Sequence, residues 1–261
     1  MVTVKNPILM GFYPDPSICR KGEDYYIVNS SFVYAPGVPI FHSRDLAHWE
    51  QIGNILDRPS QLPVAGADIS DGIYAPTIRY HDGLFYMITT NVTHGNNFIV
   101  TAENPQGPWS EPYYLGDDAP GIDPSLFFDD DDKCYYCGTV RIRRAFAITG
   151  TGRFGIQELD LKTMKLVGES MAIWKGAVKG CIWPEGPHIY KIDGYYYLLQ
   201  QKAEPVRNIV LRWHAVRSCS SGLKAVRAIR FSHTAISVWI IRSSMRDMEI
   251  WLMTARETGM L

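Results

Sequence analysis

The chain lacks any marked excess of charge. Its 261 residues include 26 Lys and Arg against 27 Asp and Glu, a formal net charge of −1, which favours neither nucleic acid nor an acidic membrane surface as a partner. No apolar run approaches the length of a membrane-spanning helix. The opening segment MVTVKNPILMGFYPDPS has neither a basic n-region nor an apolar core. We therefore predict no signal peptide and a cytoplasmic location.

Cysteine is scarce, and its pattern does not form a disulfide framework. The five cysteines are an odd number with irregular spacing, which favours a reducing compartment. Cys134 and Cys137 lie in the Tyr-rich run KCYYCG, where residues three apart point to opposite faces of a strand. No second Cys/His pair completes a zinc site, and we interpret the acidic run 129–132 as a solvated turn. The sequence therefore predicts no metal site and no cofactor.

Helical periodicity is nearly absent from the first 200 residues. Short runs of Tyr, Phe, Ile and Val bounded by Gly, Pro and Asp predict an all-β fold. Four segments repeat one pattern, in which a proline is followed by an outgoing strand, a Gly/Asp turn and an aromatic return strand. These segments are YPDPSICRKGEDYYIV, YAPTIRYHDGLFYMI, IDPSLFFDDDDKCYYCG and PEGPHIYKIDGYYYLL.

The spacing of this repeat predicts a β-propeller. Its prolines, called the repeat prolines below, are 60, 48 and 63 residues apart, which suits blades of four antiparallel strands. One such sheet cannot bury both of its faces alone, so the blades are expected to stack around an axis. The repeat prolines are Pro16, Pro76, Pro124 and Pro187.

Carboxylates recur beside the repeat prolines. Asp15 and Asp123 immediately precede theirs, and Glu185 lies two residues before its own, an offset that its longer side chain can tolerate. The second copy has Ala75 at this position. Because equivalent positions in different blades face one another across the axis, we expect the three acids to converge.

Converging carboxylates favour general acid–base chemistry. Mutual repulsion raises the pKa of at least one group, which leaves one acid protonated and another ionised, as glycoside hydrolysis requires. Turn capping, aspartyl-type chemistry and a Ca²⁺ site remain alternatives. The aromatic residues Phe32, Tyr74 and Trp183 fit a sugar-binding pocket, and core packing is the alternative for each.

The motifs resemble those of glycoside hydrolase family 43, in its β-xylosidase/α-L-arabinofuranosidase group. The resemblance runs from residue 6 to about residue 199. It implies a five-bladed β-propeller, an inverting mechanism and no obligatory cofactor. The matching stretches are NPILMGFYPDPSICRKGEDYYIVNSSF, PGVPIFHSRDLAHWEQIG, LDRPSQL, GIYAPTIRYHDGLFYMITTNV, NPQGPWSEP, GIDPSLFFDDDDKCYY and WPEGPHIYKIDGYYYLL.

The resemblance also assigns roles by position. Asp15 is similar to the general base, Asp123 to the residue that modulates pKa and orients the acid, and Glu185 to the general acid. Phe32 and Tyr74 fall where the family has aromatic walls of the pocket. The implied substrates are xylo-oligosaccharides or arabinosyl saccharides, and the oligomeric state is left open.

The character of the chain changes after about residue 200. Residues 201–261 carry ten Lys and Arg, four Asp and Glu, and none of the 15 tyrosines. We therefore expect a catalytic propeller of blades 1–4 in residues 1–200 and an atypical tail in residues 201–261. The tail is either a frame-shifted segment or a degenerate fifth blade. An active glycosidase, a truncated inactive relative and a sugar-binding propeller without turnover are the functions left open.

Overall fold

The chain is almost entirely β-structure. The computed structural model describes residues 4–94, 96–139, 154–174, 184–192, 194–203, 209–216, 229–230, 240–242 and 249–251. Within these ranges the single helix is a 3-10 turn at Gly116–Asp118. None of the described segments forms a helix of the length and apolarity that a membrane crossing requires. The predicted all-β class is confirmed.

Four antiparallel four-stranded sheets follow one another along the chain, each with its strands in sequence order. Sheet 1 contains β1 (Ser17–Lys21), β2 (Asp24–Val28), β3 (Gly37–Ser43) and β4 (Glu50–Leu56). Sheet 2 contains β5 (Ile73–His81), β6 (Leu84–Asn91), β7 (Asn96–Ala102) and β8 (Tyr113–Tyr114). Sheet 3 contains β9 (Ser125–Phe128), β10 (Cys134–Thr139), β11 (Phe154–Asp160) and β12 (Lys165–Trp174). Sheet 4 contains β13 (Pro184–Ile192), β14 (Tyr195–Ala203), β15 (Ile209–Val216) and β16 (Ile229–Arg230), and β17 (Ile240–Arg242) pairs with β18 (Glu249–Trp251).

The four sequence repeats correspond to the four sheets. Each repeat proline lies directly before or within the first strand of a sheet. The first strands are neighbours in space, since β1 contacts β5, β5 contacts β9, and β9 contacts β13. The described strands do not close into a single sheet. This succession brings the beginnings of separate sheets together, which is the arrangement that the acid positions require.

Apolar residues on both faces of the middle sheets hold the stack together. On β6, Phe85 and Met87 pack into the core shared with sheet 1, while Tyr86 and Ile88 pack into the core shared with sheet 3. Strand residues alternate between faces, so a continuous apolar run buries both sides of one sheet. A third core joins sheets 3 and 4 through residues such as Phe127. Each sheet is therefore stabilised chiefly by its neighbours.

The C-x-x-C pair behaves as structural thiols. Cys134 packs in the core between sheets 2 and 3, and Cys137 packs in the core between sheets 3 and 4. Both are buried. Burial raises the pKa of Cys134 to about 12, so its reactive thiolate form is suppressed. The prediction that the two thiols point to opposite faces is confirmed.

The acidic run 129–132 is only partly solvated. Asp130 is exposed, as predicted, but the prediction is wrong for Asp129, whose side chain is 13% exposed. Its carboxylate accepts hydrogen bonds from Lys191 Nζ at 2.5 Å and from the Tyr196 hydroxyl at 2.7 Å. The hairpin of sheet 3 is thereby tied to sheet 4.

Candidate active site

A left-handed backbone residue marks the beginning of three sheets. Asp15, Asp123 and Gly186 immediately precede their repeat prolines and have φ angles of 53°, 56° and 58°. Glycine adopts this conformation freely, and aspartate is one of the few other residues that tolerates it. Non-glycine residues in this region are uncommon and often lie at functional sites. The sequence therefore places aspartate where the backbone turn and an acidic side chain are both needed.

The position of Glu185 has a backbone explanation. In sheet 4 the left-handed position is taken by Gly186, so Glu185 does not occupy the register position of the two aspartates. It corresponds instead to Tyr74, which also lies two residues before its repeat proline and borders a register shift against the next strand. In sheets 1 and 3 the side chain near the site therefore comes from the residue directly before the repeat proline. In sheets 2 and 4 it comes from the residue two positions before that proline. The offset of Glu185 therefore has a backbone cause that the sequence did not reveal.

Asp15 is oriented by residues that follow β2. The Ser30 hydroxyl donates a 2.6 Å hydrogen bond to Oδ2 of Asp15. Next to it, the buried Asn29 side-chain amide donates to the carbonyls of Tyr13 and Pro14 at 2.8 and 3.1 Å. These contacts fix both the carboxylate and the turn that carries it. Sequence reasoning missed Ser30, although the polar NSS run directly after the aromatic strand DYYIV was an available signal.

Asp123 is the most strongly perturbed acid of the group. Burial, followed by repulsion from Glu185 and then from Asp15, raises its pKa to about 7. The backbone N–H of Gly186 donates to this carboxyl and opposes the shift with a smaller effect. Asp123 therefore exchanges its proton near neutrality, unlike an ordinary aspartate.

Glu185 is half-buried and close enough to the other acids to interact with them. Burial and repulsion from Asp15 raise its pKa, which favours the protonated form that a general acid needs. All three pairs among Asp15, Asp123 and Glu185 therefore repel one another. Among the described residues no three His, Cys, Asp or Glu side chains are placed to hold one metal ion.

Aromatic side chains line the approach to these acids. The rings of Phe32 and Tyr74 lie 5.5 Å apart in an edge-to-face arrangement, and Phe12 lies 5.8 Å from Phe32. Phe32 is fixed by two backbone hydrogen bonds with Ile73, at 2.9 and 3.0 Å. Tyr74 is near the acids, since Asp123 contributes, after burial and Asp71, to raising its pKa. The predicted neighbours Phe32 and Tyr74 are therefore brought together beside the carboxyl groups.

Two further aromatic residues, Phe12 and Trp183, lie close to the acids in the sequence. Trp183, which the sequence suggested as a substrate-binding residue, lies outside the described residues. Phe12 was missed, although it is 65% exposed and its ring lies 5.8 Å from that of Phe32. An exposed aromatic ring is an apolar surface that a sugar face can cover.

A hydrogen-bonded pair of an arginine and a histidine connects the first strands of sheets 2, 3 and 4. Arg79 on β5 donates to Nδ1 of His188 at 2.9 Å and to the carbonyl of Leu126 at 3.1 Å. Burial, then the positive charge of Arg79, lowers the pKa of His188 to about 3. The imidazole is therefore neutral and accepts the hydrogen bond of the guanidinium. This pair joins the strand that follows Asp123 to the strand that contains Glu185.

Most of the chain matches one known family. Residues 4–204 match the family described as Glycosyl hydrolases family 43. The chain belongs to this family. The resemblance that the sequence motifs indicated is thereby confirmed.

Three relatives in family 43 illustrate the similarity. The "Xylosidase/arabinosidase" of Butyrivibrio fibrisolvens is 72% identical over 204 residues, which cover 78% of this chain and 39% of that protein. A GH43_12 crystal structure from a capybara gut metagenome has 41% identity and a TM-score of 0.76, and the match covers 88% of this chain and 43% of that one. The crystal structure of a xylan β-1,4-xylosidase from Bacillus halodurans C-125 has 43% identity and a TM-score of 0.74, with 83% and 42% covered. The chain spans less than half the length of each of these family 43 proteins.

Proposed function

We propose that the chain is an inverting glycoside hydrolase that removes xylosyl or arabinofuranosyl units from xylan-derived oligosaccharides. One observation carries the proposal: Asp15, Asp123 and Glu185 repel one another in all three pairings. Each is held at the beginning of a different sheet. Acids placed in this way offer one ionised and one protonated carboxyl group near neutral pH, which is the requirement of glycoside hydrolysis.

The proposed reaction uses the acids in separate roles. Asp15 takes a proton from a water molecule as the water oxygen bonds to the anomeric carbon from one side. Glu185 gives its proton to the glycosidic oxygen as the bond from that oxygen to the anomeric carbon breaks on the other side. Inverting enzymes separate base and acid by roughly 6.5–9.5 Å to admit the water. Burial and repulsion from Asp15 favour the protonated form of Glu185, and Asp123 is proposed to orient this acid.

The substrate class is supported by the aromatic side chains and by the relatives. Phe12, Phe32 and Tyr74 offer ring faces and edges on which the C–H surface of a pentose can pack. The Butyrivibrio fibrisolvens relative is named a xylosidase/arabinosidase. We propose the same two sugar classes for this chain, and neither a cofactor, a nucleic acid nor a membrane takes part in the proposed reaction.

We further propose that sheets 1–4 are blades of a five-bladed propeller. The proposal is supported by their succession and by the contacts between successive first strands. Residues 1–200 would form the catalytic part and residues 201–261 an atypical tail, which includes β15 and β16 of sheet 4 and the β17–β18 pair. The family match ends at residue 204, close to this boundary. Translating the gene in its other two frames beyond codon 200 tests the frame-shift alternative, which requires a family motif in one of them.

Hydrolysis of nitrophenyl β-xyloside and nitrophenyl α-arabinofuranoside tests the activity. We expect turnover by the wild-type chain, loss of most of it in Glu185→Gln, and no change in Glu169→Gln, a matched substitution at an exposed glutamate. Proton NMR of the first product should show the inverted anomer. Equal rates for the wild-type chain and Glu185→Gln on both substrates would refute the catalytic proposal.

A sugar-binding protein without turnover is the second candidate. It is favoured by the cluster of the Phe12, Phe32 and Tyr74 rings, which offers a sugar a packing surface that does not depend on the acids. Binding of xylose or arabinose in calorimetry, without hydrolysis of either nitrophenyl glycoside, would support this candidate. The absence of both binding and turnover would indicate an inactive relative.

A further inference from the structure

Buried hydroxyl groups follow the repeat prolines. The residue directly after the repeat proline is Ser17 in sheet 1, Thr77 in sheet 2 and Ser125 in sheet 3. These side chains are 7%, 2% and 0% exposed. Burying a hydroxyl is unfavourable unless it forms hydrogen bonds. A hydroxyl at the same position of three repeats therefore indicates a specific partner.

Two of these hydroxyls bind the repeat proline of the next sheet. Thr77 Oγ1 donates to the carbonyl of Pro124 at 2.9 Å, and Ser125 Oγ donates to the carbonyl of Pro187 at 2.5 Å. Ser17 also reaches the next sheet, where its oxygen accepts the N–H of Ile78 at 3.2 Å. The same repeat position thus joins sheet 1 to 2, sheet 2 to 3 and sheet 3 to 4.

The two proline carbonyls lie outside the regular strand pairing. Pro124 precedes Ser125, the first paired residue of β9, and Pro187 lies within the register shift of β13. The hydroxyls therefore bind backbone that the strand register does not pair. They do so at the two places where the backbone turns next to an acidic residue.

Each carbonyl is covalently close to the acids of the site. Pro124 is bonded to Asp123, and Pro187 is bonded to Gly186, whose N–H donates to the Asp123 carboxyl. Glu185 is the residue on the other side of Gly186. We propose that Thr77 and Ser125 are positioning residues, whose hydroxyls hold the turns carrying Asp123 and Glu185 at a fixed distance across neighbouring sheets. This inference rests on the proposed function.

Removing a hydroxyl leaves a buried carbonyl without its donor. A buried acceptor that loses its partner moves toward water or admits water. Either response increases hydration of Asp123 or separates it from Glu185, and both changes lower the pKa of Asp123 toward its ordinary value. A purely structural hydroxyl would alter stability without altering this pKa.

The test uses Thr77→Val and Ser125→Ala in the full chain. The Asp123 carboxyl is followed by carbon-13 NMR during a pH titration, with Asp123→Asn to assign its signal. We expect a pKa of about 7 in the wild-type chain and a value displaced toward 3.8 in both variants. Thr77→Ser, which keeps the hydroxyl, should restore the wild-type value. Ser43→Ala removes a buried hydroxyl near the opposite end of sheet 1 and should leave the titration unchanged.

Turnover gives a second readout. In a chain that hydrolyses nitrophenyl β-xyloside, each hydroxyl deletion should lower kcat by about 10- to 100-fold, the cost of misplacing a catalytic group by about 1 Å, with a smaller change in KM. An unshifted Asp123 pKa in folded Thr77→Val and Ser125→Ala overturns the inference. If Thr77→Val does not fold, Ser125→Ala alone decides it. An ordinary Asp123 pKa in the wild-type chain instead refutes the electrostatic basis of the proposed function. If the chain shows no turnover, the NMR titration alone decides whether Thr77 and Ser125 are positioning residues.

Discussion

Replacing Asp123 with asparagine should stabilise the fold at alkaline pH while it impairs hydrolysis. Asparagine tolerates the left-handed backbone of this position, φ 56°, and its side-chain oxygen can still accept the N–H of Gly186. The substitution therefore removes a buried negative charge with little change in shape. It also removes the repulsion between the Asp123 and Glu185 carboxylates.

The sign and the size follow from the pKa of Asp123, which is about 7 in the folded chain against an ordinary 3.8. Below the lower value the carboxyl is protonated in both states. Between the two values only the unfolded chain releases the proton, so the free energy of unfolding falls as pH rises, by about 1.4 kcal/mol per pH unit. Above about pH 7 the loss is complete. From about pH 5 to about pH 8, Asp123→Asn should gain about 3 kcal/mol over the wild-type chain.

Urea unfolding followed by circular dichroism at these two pH values measures the difference. Asp117→Asn is the matched control, because Asp117 is exposed on the 3-10 turn, and it should change the free energy of unfolding equally at both pH values. The reasoning is refuted if Asp123→Asn and Asp117→Asn show the same dependence on pH, since Asp123 would then ionise as an ordinary surface acid.

Three other predictions follow from contacts around the site. Ser30→Ala removes the hydrogen bond to Asp15 and should lower kcat/KM by about 10-fold, as expected for losing a bond to a charged group. Gly72→Ala would place a Cβ 2.2 Å from the Phe32 carbonyl oxygen at a φ of 87°, and calorimetry should show a loss of about 2 kcal/mol or more in stability. Asp129→Asn removes the charge paired with the lysine of sheet 4 and should cost about 1–2 kcal/mol in urea unfolding, since the pair is only partly buried.

Each of these changes has a matched control. Ser43→Ala, away from the acids, should leave kcat/KM unchanged. Gly22 has a similar left-handed backbone, φ 62°, and a Cβ added there would meet no atom within 4 Å, so Gly22→Ala should cost only about 1 kcal/mol. Asp132 is exposed in the same turn, and Asp132→Asn should have little effect. Equal losses in a variant and its control would contradict the assigned contact.

Sequence periodicity was sufficient to predict the class of fold and the start of each sheet. The repeat prolines mark strand starts because proline lacks the N–H that a central strand position would use. The aromatic return strands mark the second strand of each sheet, where apolar residues on successive positions can bury both faces. Asp15 and Asp123 were singled out because they share one position of the repeat, and Glu185 because it lies within one residue of that position. Their catalytic roles, the boundary near residue 200 and the cytoplasmic location stay predictions.

Other features depended on contacts that no spacing reveals. Glu185 corresponds to Tyr74 because Gly186, and not Glu185, adopts the left-handed backbone in sheet 4. The sequence does not reveal which of these two residues adopts that backbone. The burial of Asp129 depends on Lys191, 62 residues later on another sheet. Ser30 was missed because a serine after a strand is common in any turn. Long-range partners of polar residues are set by the packing of sheets, which single-sequence patterns do not encode.

Two of the hydrogen bonds between neighbouring sheets run in the same direction along the chain. Thr77 and Ser125 supply the donors, and the carbonyls that they bind belong to the sheet synthesised afterwards. On the ribosome, such a hydroxyl can bind water until the next sheet emerges. The turns of sheets 3 and 4 then meet a donor that is already in place. The acid on the fourth sheet is consequently the last to be fixed, and a nascent chain acquires its full set of carboxyl groups only when that sheet docks.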